Sequence, residues 1–170
     1  PLCGGNLDII YDYDAAAKSI GKRFGKGSDD LFGFSALLPL KQPREPFPLR
    51  VGGTPLYRVR PIEETGGLTA SLKDRASAVT IGRALDIGAG VVAVASTGNA
   101  GSSAACLAAA TGLKSVIFVP ADAPVAKLTQ MLAFGARVLA VRGNYDDAYD
   151  LCLEASEEFG WFNRSTGYNA

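Results

Sequence analysis

The chain has 170 residues, with 17 Lys plus Arg balanced by 17 Asp plus Glu, and it contains no histidine. Zero net charge argues against nucleic acid or an anionic membrane as the main partner. The missing histidine excludes Ser-His-Asp hydrolysis, Cys-His hydrolysis and histidine-ligated metal centres within this chain, while the length suffices for one domain with a real core or for part of a larger protein.

Two regions separate in chain order: an irregular segment over 1–62 and an α/β domain over 63–170. In the first, Asp8 to Tyr13 reads as a short strand and Asp14 to Lys26 as a short basic helix. Pro39, Pro43, Pro46, Pro48 and Pro55 bar a long helix, so this stretch is expected to run extended over another surface. Val51-Gly52-Gly53-Thr54-Pro55-Leu56 reads as a tight turn into a strand over Leu56 to Val59. From residue 72 on the rhythm is clear. Ala76, Val79, Ile81, Ala84, Leu85 and Ile87 give a helix over Lys73 to Gly88 one apolar face. Val91 to Ala95 is a continuous β-branched, apolar run of the kind that forms a buried parallel strand. A helix over Ala100 to Thr111 stops at Gly112, and a strand over Ser115 to Val119 ends at Pro120. A helix over Pro124 to Phe134 is closed by Gly135. A strand over Arg137 to Val141, a helix over Tyr145 to Phe159 and a strand begun by Trp161 and Phe162 complete the series. Repeated β-α units with short links predict a parallel sheet with helices on both faces and right-handed crossovers. No solenoid-type repeat or low-complexity stretch is present.

Cys3, Cys106 and Cys152 lie too far apart to read as a disulfide framework or a closed zinc motif. Cys106 and Cys152 are expected as small core residues. Cys3-Gly4-Gly5 reads equally well as a Gly-Gly turn or as a remnant of a Cys-x-x-Cys-Gly zinc knuckle; no metal ligand is assigned. No apolar run approaches the length that spans a bilayer, and no basic-then-apolar leader precedes residue 20. A soluble cytoplasmic protein is expected. The chain opens on Pro1, and Asn163 to Ala170 is polar with no closing element, so a fragment is expected as well.

Two short stretches could carry chemistry. Ser71-Leu72-Lys73-Asp74-Arg75 puts a lysine at a helix start. A lysine amine forms a Schiff base with an aldehyde cofactor when neutral, which calls for partial burial or nearby positive charge. Arg75 would help and Asp74 would oppose; a solvated charged first turn accounts for the same residues. Ser96-Thr97-Gly98-Asn99 lies between an apolar strand and a small-residue helix. The C-terminal end of a parallel strand is where α/β sheets place ligands, and the following helix offers free N–H groups to an anion. Ser96 and Thr97 supply hydroxyls for a carboxylate or phosphate, and Asn99 an amide donor. Gly98 permits close backbone approach or a left-handed turn. Ordinary N-capping explains the loop equally well. Gly143-Asn144-Tyr145-Asp146-Asp147 reads as an N-cap with acids in the first turn, with no chemistry. Lys127 and Gln130 read as a solvated helix face, and the scattered aromatic residues form no stacking platform for bases.

The lysine pentad followed by Ala95-Ser96-Thr97-Gly98-Asn99 resembles the threonine synthases and their relatives, the fold-type II pyridoxal-phosphate enzymes with a tryptophan synthase β-like fold. Gly53-Thr54-Pro55-Leu56, Lys127-Leu128 with Gln130, Phe134-Gly135-Ala136-Arg137-Val138 and Gly143-Asn144-Tyr145-Asp146 agree with it. Cys3-Gly4-Gly5 with Tyr11-Asp12 resembles the zinc-knuckle leader of the archaeal type. The resemblance implies a lyase in threonine biosynthesis, with pyridoxal 5'-phosphate as cofactor and O-phosphohomoserine and water converted to threonine and phosphate. Lys73 would hold the cofactor and shuttle protons, Asn99 would bond the phenolic oxygen of its ring, and Ser96, Thr97 and Gly98 would bind the amino-acid carboxylate. The family's phosphate loop and pyridine-nitrogen partner belong to a C-terminal half outside this chain. The fragment is therefore expected to bind cofactor poorly and to be inactive alone. Ala100 stands where many relatives carry a hydroxyl. Expected partners are a small amino acid and, at full length, further copies of the chain. Other readings are a fold-type II relative such as cysteate synthase or a serine/threonine dehydratase, and a non-catalytic α/β binding module.

Overall fold

A computed structural model describes residues 10–20, 31–40, 49, 51–53, 56–58, 63–65, 69 and 71–165. The amino-terminal region departs from expectation. Residues 10–12 are not a strand; an eight-residue helix, α1 (Tyr13–Ile20), starts there instead. Its Ala15 amide donates to the Asp12 carboxylate at 2.9 Å, so Asp12 is a helix cap. A 3-10 helix over Leu31–Leu37 was not foreseen. Leu31, Phe32, Leu49 and Val51 pack with Ala78, Ile81 and Ala84 of α2 (Lys73–Asp86), so the described part of the segment does run over another surface. Of the five prolines only Pro39 is described, and Cys3-Gly4-Gly5 lies outside the described residues. β1 (Leu56–Arg58) pairs with an unforeseen β2 (Glu63–Thr65) in an antiparallel ribbon, so the division at 62/63 falls inside a hairpin.

From Lys73 onward the elements follow the apolar rhythm. β3 (Val91–Ala95), α3 (Asn99–Thr111), β4 (Lys114–Pro120), α4 (Val125–Ala133), β5 (Arg137–Val141), α5 (Tyr145–Phe159) and β6 (Phe162–Asn163) follow α2. Boundaries differ from expectation by at most two residues. The four strands form one parallel sheet in the order β5-β4-β3-β6. A two-sided apolar strand needs cover on both faces, and it has it. Val94, Ile117 and Val119 meet Ala104, Ala105 and Met131 of α3 and α4 on one face. Ala93, Ala95, Val116 and Phe118 meet Ala148 and Cys152 of α5 on the other. α2 lies on the outer side of α3.

This topology has a consequence for the site. α3 joins β3 to its neighbour β4 over one face; α5 joins β5 to β6, on the other side of β3, over the opposite face. Connections diverge at β3, and a crevice outside the carboxyl end of such a strand is where open α/β sheets receive ligands.

Candidate active site

The lysine pentad is shaped by its small polar residues. The Ser71 hydroxyl accepts from the Lys73 amide at 3.1 Å, serving one of the unpaired N–H groups of the first turn. Asp74 turns inward and is 3 % exposed. Its carboxylate accepts from the Thr69 amide and the Thr69 hydroxyl, both at 2.8 Å, which ties residue 69 to the helix. Lys73 points the other way: it is exposed rather than partly buried, and its amine has no partner among the described residues.

The glycine loop begins where β3 ends. Ser96 is buried, and its hydroxyl oxygen accepts from the Gly98 and Gly101 amides at 3.2 and 3.1 Å. The residue read as a carboxylate ligand thus organises the loop through its oxygen, and its own O–H proton is what remains to donate. Thr97 is half-buried and Asn99 exposed, and neither side chain bonds to a described residue. Gly98 is the N-cap of α3 with φ −130°, a conformation open to any residue, so the left-handed turn is not formed. A Cβ added at Gly98 would meet no described atom within 4 Å. The absence of a side chain there leaves open space above the backbone at a helix N-terminus, a cradle for an anion or a flat group. Gly101 is different: an added Cβ would stand 2.7 Å from Met131 Cε and 2.9 Å from the Ser96 carbonyl oxygen.

Lys73, Ser96, Thr97, Gly98 and Asn99 therefore all lie at helix starts or at the carboxyl end of β3, with α2 packed on α3. Three further residues converge there that the sequence reading passed over. The Tyr145 hydroxyl donates to the Ala95 carbonyl at 3.1 Å, just before the loop. Arg164 is 8 % exposed and donates from Nε and Nη2 to the Ser77 hydroxyl at 3.4 and 3.3 Å. Burial pulls the Arg164 guanidinium below its ordinary pKa, with Tyr145 acting in the opposite sense. Burial likewise raises the Tyr145 phenol. Ser77 and Arg164 stand in no motif, and Tyr145 lies in the Gly143–Asp147 stretch that reads as a helix cap. Asn144 behaves as expected: its side chain accepts from the Asp146 and Asp147 amides while Asp147 accepts from the Asn144 amide. Lys127 and Gln130 are exposed. A cavity of about 470 Å³, lined by Val91, Lys114, Arg137 and Trp161 among others, lies at the opposite, amino-terminal edge of the sheet and touches none of these groups. Among the described residues no cluster of metal-ligating side chains occurs, and no helix is long and apolar enough to cross a membrane.

The chain is similar to known proteins over most of its length. The family described as pyridoxal-phosphate dependent enzyme matches residues 48–170. A threonine synthase of Methanocaldococcus jannaschii is 35 % identical over 92 % of this chain and 42 % of its own length. One of Methanosarcina acetivorans is 36 % identical over 88 % of this chain and 39 % of its own. The chain thus spans about two fifths of the length of these relatives. The structure of an O-ureido-L-serine synthase shares the fold, with a TM-score of 0.61 at 22 % identity over 67 % of this chain and 41 % of that one. So does O-acetyl serine sulfhydrylase isoform 3 of Entamoeba histolytica, with a TM-score of 0.59 at 23 % identity over 74 % and 44 %.

Proposed function

Since this chain belongs to the family of pyridoxal-phosphate-dependent enzymes, we propose that the complete protein is a threonine synthase, converting O-phosphohomoserine and water to threonine and phosphate. The observation that carries this reading is the pairing of an exposed Lys73 amine on α2, without a partner among the described residues, with a glycine loop on the adjoining α3 whose open backbone is packed against none of them. The likeness to threonine synthases supports it.

The residues suit the cofactor chemically. A primary amine is the nucleophile that condenses with an aldehyde, and the cradle at Gly98 admits a planar ring. When bound, pyridoxal phosphate supplies an electron sink for negative charge developing at the substrate carbons, which the protein orients. Lys73 would hold the cofactor and then carry protons at those carbons. Asn99 would donate from its amide to the ring oxygen. Thr97 and the backbone left open at Gly98 would take the substrate carboxylate, with the Ser96 proton as a further donor, at the positive end of α3. The Asp74–Thr69 tie would hold Lys73 in place. We further read the protein as cytoplasmic and oligomeric at full length.

The experiment is borohydride reduction of the complete, cofactor-loaded protein followed by peptide mapping, beside an assay for phosphate release from O-phosphohomoserine. The label should fall on Lys73. A label on another lysine, with Lys73→Ala still reducible, would remove the assignment; reduction at Lys73 without phosphate release would leave the cofactor role and sink the substrate.

A further inference from the structure

The amino-terminal edge of the sheet carries a concave surface whose make-up follows from strand register. Val91 pairs with Lys114, and Val116 with Arg137. Paired residues share a face, as do residues two apart on one strand. Val91, Lys114, Val116, Arg137 and Leu139 therefore stand on one face, the one that α5 covers. Trp161, in the link from α5 to β6, packs into the same apolar cluster, and the Phe159 ring backs its indole at 5.0 Å between centroids. α5 stops short of the edge strand. Phe118 is 1 % exposed, whereas Leu139, its partner across the ladder, is 43 % exposed. The cavity of about 470 Å³ opens at this corner of the sheet, a size within the range of about 300–1,000 Å³ that small molecules occupy.

The charge on this cavity has one sign. Lys114 and Arg137 line it, no carboxylate among the described residues does, and neither cation has a side-chain partner among them. Lys114 lies two residues before Val116, which is paired with Arg137. Strand spacing and rise then put the two Cα atoms roughly 8 Å apart, so both long side chains can converge on one anion. Like charges so placed repel, and an anion between them removes the repulsion. Beside them, Trp161 and the open Leu139 side chain offer an apolar wall. We propose that this cavity binds a small organic anion. A planar apolar body lies against Trp161 and Leu139, and an oxyanion head, phosphate or carboxylate, takes the Lys114 ammonium and the Arg137 guanidinium. The site is separate from the one at the glycine loop, since about 16 Å of strand lies between Val91 and Ser96. It holds whatever reaction the complete protein performs.

The test uses the complete protein loaded with pyridoxal phosphate, at constant ionic strength. The probes are phenyl phosphate and phenylacetate; benzyl alcohol, which lacks the charge, and inorganic phosphate, which lacks the apolar body, are the controls. Calorimetric titration measures binding. Quenching of Trp161, read as the difference between wild type and Trp161→Phe, locates it. One or both aromatic anions should bind saturably, about 10-fold or more tighter than either control; phenyl phosphate alone assigns a phosphoryl head, phenylacetate alone a carboxylate. Lys114 and Arg137 are exposed, so Lys114→Met and Arg137→Met should fold as wild type does. Each should weaken binding about 5- to 30-fold. Identical titrations in wild type and both Met variants would put the anion elsewhere, at the glycine loop included, and overturn the inference. So would benzyl alcohol binding as tightly as the anions, or no saturable binding of either anion, the result expected if another part of the complete protein fills the cavity.

Discussion

The Ser96 hydroxyl oxygen lies 3.1 Å from the Gly101 amide nitrogen and accepts its hydrogen bond, closing the loop over Thr97, Gly98 and Asn99. The Gly98 amide meets the same oxygen from inside the loop. One buried hydroxyl therefore shapes the segment whose neighbouring side chains are left free for a ligand. Ser96→Ala leaves the Gly98 amide without its acceptor and the Gly101 amide with the Gly98 carbonyl alone, and should cost about 1–2 kcal/mol. Thr97→Ala breaks no bond to a described residue and should change stability by less than about 0.5 kcal/mol while weakening substrate binding. Denaturant melts beside substrate titrations separate the two; equal stability losses would refute the division of roles.

A similar split holds between Lys73 and Asp74. Asp74→Ala removes a buried carboxylate that accepts twice from Thr69, and hydrogen bonds to a charged group are worth about 1.5–3 kcal/mol. Lys73→Ala removes an exposed amine that has no partner among the described residues, so stability should stay within about 0.5 kcal/mol of wild type while covalent cofactor attachment is lost. Urea unfolding of cofactor-free protein reads the first effect and borohydride reduction the second. A cofactor-free Lys73→Ala protein as unstable as Asp74→Ala would show that the lysine is part of the packing.

Burial also sets a pH dependence. Cys152 is fully buried under β6, and burial pushes its thiol above the ordinary range against the lowering effect of Ser165, Ser156 and Asn163. The folded chain then holds a proton that the unfolded chain releases above about pH 8.5. This contribution to stability is complete below that pH and is lost as pH rises through the folded value. Alkaline unfolding followed by circular dichroism should be less steep in Cys152→Ala, and thiol labelling of native protein should reach half-buried Cys106 before Cys152. Equal labelling rates would mean that the sheet opens at β6.

Much of this was legible before any coordinates, and the reasons for success and failure are physical. β3 falls where the sequence places it because its continuous apolar run is buried on both faces, which leaves no other reading of Val91 to Ala95. The loop at Ser96–Asn99 follows from the same pattern. α1 starts one residue before the expected Asp14, and residues 10–12 are not the expected strand because Asp12 caps the helix through the Ala15 amide, a local bond that outweighs the alternation of Ile9 to Tyr13. β2 was missed because Glu63-Glu64-Thr65 has no apolar face; pairing with β1 alone makes it a strand. Arg164 carries no periodic signal, since its burial comes from Ser77, 87 residues away. The inward turn of Asp74 and the outward turn of Lys73 depend on Thr69, which the charged run Lys-Asp-Arg does not announce.

The two glycines of the loop give the sharpest contrast. At Gly101 an added methyl would press on Met131 Cε, the Ser96 carbonyl oxygen and, at 3.3 Å, Ile117 Cγ2. Met131 can move but the backbone oxygen cannot without opening the loop, so Gly101→Ala should destabilise by about 1–3 kcal/mol. At Gly98 the backbone is extended and the space above it empty of described atoms. Gly98→Ala should therefore fold at least as well as wild type, because alanine reduces the freedom of the unfolded chain without strain in the folded one. Its methyl would stand in the cradle where the ligand's backbone contact is made, and overlap of one methyl group with a close-packed partner costs about 1–3 kcal/mol. Cofactor or substrate affinity in the complete protein should then fall about 10- to 100-fold with an unchanged melting temperature of the ligand-free form. Calorimetric titration of the variant against wild type measures this directly. Gly98→Ala that binds as wild type does would empty the cradle of its function and move the ligand away from the Ser96–Asn99 loop.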